Sequence, residues 1–166
     1  DFLDYEKKEN LNSTLTFKGN YKEKGKLIFD FINLREKKNE ISIKNLNLSD
    51  NYKITDVKNF NLNFKNKKNF LNKLQLKKNN KGFTIEGENF DASKIIDKVM
   101  DNNKKSSSIF YNLNSKVNIK IKKTYIDEIN YLNDLSGSIN FIDNKINDLE
   151  LESTFQNKKK INFSIK

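Results

Sequence analysis

The chain has 166 residues, 32 Lys and Arg against 22 Asp and Glu, a net charge of +10, and no Cys, Pro, His or Trp. These absences remove the ordinary zinc site, Cys or Ser/His nucleophiles, imidazole acid–base chemistry and a structural disulfide. One domain with a real core remains open, since 35% of the residues are hydrophobic and 13 are Phe. No apolar run reaches the roughly 18 residues of a membrane span. Asp1 in place of an initiator Met predicts a segment of a longer protein. The 29 Asn, 31 Lys and 18 Ile stand beside one Arg and one Ala, the bias of A/T-rich codons. Much of the Lys excess follows from that bias, so the net charge is weak grounds for an acidic partner.

Period-two alternation runs from the N-terminus onward. Leu11, Ser13, Leu15 and Phe17 share one parity, then Leu27, Phe29 and Phe31, Ile41 and Ile43, Phe60, Leu62 and Phe64, Leu74 and Leu76, and Phe83 and Ile85. After an interruption come Val117, Ile119 and Ile121, alternating with Lys116, Asn118, Lys120 and Lys122, followed by Ile139 and Phe141, Leu149 and Leu151 with Phe155, and Ile161, Phe163 and Ile165. This is the signature of about ten strands with one apolar face each. Short polar runs such as Lys37-Lys38-Asn39, Asn66-Lys67-Lys68, Lys78-Asn79-Asn80-Lys81-Gly82 and Asp143-Asn144-Lys145 separate them. Asn and Asp tolerate positive φ, so these runs suit hairpin turns in a chain with 5 Gly. The expected architecture is mainly β, a large twisted antiparallel sheet over residues 1–166 as a single unit.

The interruption is helical, and the helix is expected to pack near an edge of the sheet. Ile95, Ile96, Val99 and Met100 form one stripe of a short amphipathic helix over about 92–103. Asp91 is the expected N-cap, with Phe90 and Ile95 placed as a hydrophobic staple. A second helical turn is expected around Asp127 to Leu132.

Ten strands at about 4.8 Å spacing make a sheet nearly 50 Å wide, and one helix about 10 Å across leaves most of its apolar face bare. Three covers are open: closure into a barrel or sandwich, another part of a longer protein, or an apolar ligand lying along the face. Lys clusters such as Lys37-Lys38, Lys67-Lys68 and Lys158-Lys159-Lys160 sit at strand ends and turns. With a single Arg, and with Phe at core parity, these are not a nucleic-acid footprint. They read as solvated edges, or as rims suited to anionic lipid head groups. Paired carboxylates (Glu86 and Glu88, Asp148 and Glu150, Asp127-Glu128) have no partner base, phosphate loop or metal spacing, so no catalytic residue, metal or cofactor is expected.

From Glu86 the chain reads Glu-Gly-Glu-Asn-Phe-Asp-Ala-Ser-Lys-Ile-Ile-Asp, then Leu113-Asn-Ser-Lys-Val-Asn-Ile-Lys-Ile, Leu132-Asn-Asp-Leu-Ser-Gly-Ser-Ile-Asn-Phe and Ile146-Asn-Asp-Leu-Glu-Leu-Glu-Ser-Thr-Phe. This order, over about residues 82–166, resembles the AsmA-like family of bacterial envelope proteins, especially its large DUF3971/YhdP-type members. Its fixed points are Phe90-Asp91-Ala92-Ser93 and Leu135-Ser136-Gly137. The resemblance implies an open β-groove conducting phospholipid acyl chains between inner and outer membrane. It also implies a place on the periplasmic side of the inner membrane, anchored through a segment absent from this chain. Val117, Ile119, Ile121, Ile139, Phe141, Leu149, Leu151, Phe155, Ile161, Phe163 and Ile165, at apolar parity in successive strands, are then the candidate lipid-contacting residues. The rival expectations are a structural or assembly module of the envelope without lipid conduction, and a small closed barrel binding an anionic polymer.

Overall fold

The computed structural model describes residues 4–100 and 108–166. Ten strands form one sheet in sequence order: β1 (Ser13–Lys22), β2 (Lys26–Glu36), β3 (Asn39–Leu48), β4 (Ile54–Lys65), β5 (Leu71–Asn79), β6 (Gly82–Asp91), β7 (Ser115–Tyr125), β8 (Tyr131–Ile142), β9 (Lys145–Phe155) and β10 (Lys160–Ile165). The sheet is mainly β, open and curled, and does not close into a barrel. Among the described residues there is one α-helix, α1 (Ser93–Met100). None of them forms a helix long and apolar enough to cross a membrane.

Turn chemistry follows composition. Asp143 (φ 49°) and Asn144 (φ 64°) make the two positive-φ positions of a tight β8–β9 hairpin, and Lys37, Asn69 and Lys158 supply positive φ in other turns. The expected helical turn near Asp127 is instead a loop. The Asp127 carboxylate accepts from the backbone N–H of Ile129 (2.7 Å) and Asn130 (2.6 Å) and from the Asn130 amide (2.8 Å), closing the turn by side-chain mimicry of a backbone acceptor. Those bonds favour the ionised form and hold the Asp127 carboxyl below its ordinary range.

Two topological expectations need correction. Eight neighbouring pairs are antiparallel, but β6 and β7 are parallel, Phe83 facing Val117 and Ile85 facing Ile119. A parallel pair needs a long crossover, and the stretch containing α1 is that crossover. The helix therefore lies at the junction of the sixth and seventh strands, not near a sheet edge. Its first hydrogen bond, Ile96 N–H to Ala92 C=O at 3.0 Å, starts it one residue later than expected. Residues 101–103 of the expected helix lie outside the described residues. Asp91 still accepts from the Ser93 N–H at 3.0 Å, and it also receives the Asn66 amide at 2.6 Å, while its own N–H donates to Asn72 at 2.8 Å. Asp91 thus ties the helix start to β5 through its backbone N–H and to the β4–β5 turn through its carboxylate.

Candidate functional site

Directly opposed residues in a sheet share a face, so the register traces each face from strand to strand. One row passes through all ten strands: Phe17, Ile32, Ile43, Phe60, Leu76, Ile85, Ile119, Gly137, Leu151 and Phe163. It is apolar throughout and, at about 4.8 Å per strand, spans about 43 Å. The neighbouring row on the opposite face is Thr16, Asn33, Ser42, Asn61, Gln75, Glu86, Lys120, Ser136, Glu152 and Asn162, polar throughout. The sheet therefore has an apolar and a polar side from edge to edge.

All eleven candidate residues stand on the apolar side. Val117, Ile139, Leu149 and Ile165 form a second row from β7 to β10. Ile121 faces Leu135, Phe141 faces Ser115, Phe155 faces Leu132 and Ile161 faces Ser153. Val117 and Ile121 are buried, Ile119, Ile139, Phe141, Leu149, Leu151, Phe155 and Ile161 are half-buried, and Phe163 and Ile165 are exposed.

The N-terminal half of the face was only partly foreseen, because parity slips in mid-strand. On β2 the apolar side is held by Leu27, Phe29, Ile32 and Leu34, so Phe31, expected with Leu27 and Phe29, lies on the polar side opposite Lys18 and Lys44. Asp30 is the extra residue. Asn45 on β3 and Lys58 on β4 occupy the same level, with Leu46 facing Val57 on one side of it and Ile43 facing Phe60 on the other. A second line of extra residues, Glu88, Lys122 and Asp134, crosses β6, β7 and β8. Each behaves as a β-bulge, bending its strand while returning the next apolar side chain to the same face. Asn45 (φ 50°) and Asp134 (φ 52°) take the left-handed conformation that Asn and Asp tolerate best.

The bent sheet curls around its apolar side. Every buried hydrophobic residue, from Leu46 and Val57 to Phe83, Ile121 and Leu132, is on that side, and Phe64 is only 1% exposed. Leu46, Val57, Phe83 and Val117 make one packed cluster, which Leu113 joins. The segment carrying Leu113 is tied to β4 by hydrogen bonds between Ile54 and both Ile109 and Tyr111, each at 2.8 Å. Toward the edges the apolar side opens: Phe17 is 62% and Tyr21 74% exposed on β1, and Phe163 is 40% exposed on β10.

Along one rim the apolar side turns polar, at Glu36, Asn72, Thr124 and Ser153, all buried. Apolar periodicity carries no signal for these four. Residues 4–8 lie across this rim. The Tyr5 ring meets Phe64 edge-on at 5.4 Å, its hydroxyl donates to Glu36 at 3.1 Å, and the Lys8 N–H donates to the same carboxylate at 3.0 Å. Burial pushes the Glu36 carboxyl upward, but hydrogen bonds from Asn39, Tyr5 and the Lys8 N–H, with the Lys7 charge, outweigh it and hold the group below the usual range. A depressed folded-state value stabilises the fold above the ordinary Glu pKa of about 4.3, and that contribution disappears as pH falls through the folded-state value. Glu36→Gln is accordingly expected to lower stability at neutral pH and to leave a shallower loss on acidification, measured by urea unfolding at a series of pH values.

Among the described residues no group of three or more His, Cys, Asp or Glu is placed to hold a metal. No known protein family, curated protein or solved structure matches the chain. The described residues present an open apolar trough, polar on its back and along one lip.

Proposed function

We propose that this chain is a section of a lipid-conducting β-trough that moves phospholipid between the inner and outer membranes of a bacterial envelope. The unbroken apolar row from Phe17 to Phe163 carries the reading. Acyl chains need a continuous apolar path and no fixed hydrogen-bond partners, which is what a smooth apolar row offers. The polar lip, bordered by the Lys37-Lys38, Lys67-Lys68 and Lys158-Lys159 turns, suits the phosphate-bearing head groups. The exposed apolar residues at β10 support a section of something longer, since a trough that ended there would have its end sealed. A periplasmic setting, with anchoring by a segment outside this chain, belongs to the same reading.

The test is lipid content. Protein purified from a bacterial envelope is expected to carry phospholipid in native mass spectrometry and to cross-link to photoactivatable acyl chains. Phe163→Asp should stay folded by circular dichroism, because that side chain already reaches solvent, and should lose most of the cross-linking near β10. A folded wild type that neither carries phospholipid nor takes it up from vesicles would refute conduction. The packed cluster of Leu46, Val57, Phe83 and Val117 would then favour the second reading, a structural or assembly module of the envelope in which the apolar side is simply a core.

A further inference from the structure

We propose that the β1 edge is a self-association surface, through which two copies of this chain pair antiparallel about a two-fold axis at Phe17. β1 is a ten-residue edge strand with every residue exposed, and it presents Leu15, Phe17 and Tyr21 on the apolar side. Edge strands in soluble proteins are commonly guarded by Lys, Pro, inward charges or bulges. β1 has no Pro, inward charge or bulge of its own, the extra residue at its border with β2 belonging to β2. Lys18 and Lys22 are its only charges, and Lys18 is already paired with Asp30 at 3.2 Å.

Charge decides among the possible pairings. A β10 edge meeting another β10 about Phe163 sets Lys160 opposite Lys166 twice, beside Lys158 and Lys159. A β1 edge meeting β10 adds Lys158, Lys159, Lys160 and Lys166 to Lys18 and Lys22, more lysines than β1 meets in a second β1. In the β1–β1 register about Phe17, Lys18 falls opposite Thr16 and Lys22 opposite Asn12, so no like charges face one another. That register sets Phe17 against Phe17 and Leu15 against Gly19, where the Phe29 ring already lies close over the bare backbone. Moving the axis to Lys18 keeps the overlap but sets Lys18 against itself. A two-fold axis perpendicular to the sheet leaves both apolar sides facing the same way, so the two troughs join end to end. The inference does not rest on the lipid reading, since it concerns only the edge.

The test is oligomeric state with and without the edge. Sedimentation of the chain is expected to show a concentration-dependent species of twice 19.6 kDa, converted to monomer by Phe17→Lys with an unchanged circular dichroism spectrum. Should Phe17→Lys disturb the fold, a second variant decides. Opposed residues in an antiparallel pair have Cα atoms about 4.5–5.5 Å apart, within the roughly 4.4–6.8 Å that a disulfide spans. In this cysteine-free chain Phe17→Cys should therefore oxidise to a covalent dimer, and Phe163→Cys should not. A monomer at all concentrations, a dimer indifferent to Phe17→Lys, or preferential cross-linking through position 163 would each overturn the proposal.

Discussion

Val117→Asp is expected to unfold the domain. Val117 sits in the packed cluster between Phe83 and Ile139, with no cation or hydrogen-bond donor among its facing residues. A carboxylate there is buried without a partner, at a cost of several kcal/mol. Domains of this kind hold about 5–15 kcal/mol in total, so one such charge removes most or all of it. Loss of the cooperative thermal transition would be the readout. A variant that melts like the wild type would mean that water reaches Val117, and that the centre of the trough is as open as its ends.

Deleting Asn45, an exposed residue, should straighten β3 without turning its apolar side chains outward. Without it, β3 regains strict alternation with Ile43, Leu46 and Leu48 still on the apolar side, while β2 and β4 keep the extra residues Asp30 and Lys58 and the bend they impose. The mismatch of a straightened β3 with two bent neighbours should lower stability by about 0.5–3 kcal/mol. Substituting Gly for Asn45 keeps the extra residue and removes the penalty of a left-handed side chain, so Asn45→Gly should match or exceed the wild type. Urea unfolding of the two variants separates the effect of residue number from that of residue type.

Period-two patterning made most of the sheet legible. The ten strands, their turns and the shared face of Val117, Ile139, Leu149 and Ile165 follow from alternation and short polar breaks. What alternation misreads is a change of phase: Leu27, Phe29 and Phe31 look like one face until Asp30 is known to be an extra residue, and Ile32 then takes the place expected for Phe31. A pattern that counts in twos registers a bulge only as the end of a strand. The parallel pairing of β6 with β7 had a usable signal, since a helix inside a long connection is what a parallel crossover requires. The buried Glu36 had none, because its fitness for an inward position comes from Tyr5, Lys8 and Asn39, one of them 31 residues away in sequence.

The two lines of extra residues fix the shape of the trough by arithmetic. At each, two consecutive side chains go to the polar side before the apolar one resumes, as Lys18 pairing with Asp30 and Lys73 with Glu88 on that side attest. The polar side therefore holds more residues than the apolar side over the same strand. A ribbon with unequal numbers on its two surfaces must bend toward the shorter one. Curvature here is a property of chain length on either surface, so substitutions can loosen the trough but only insertions or deletions can flatten it.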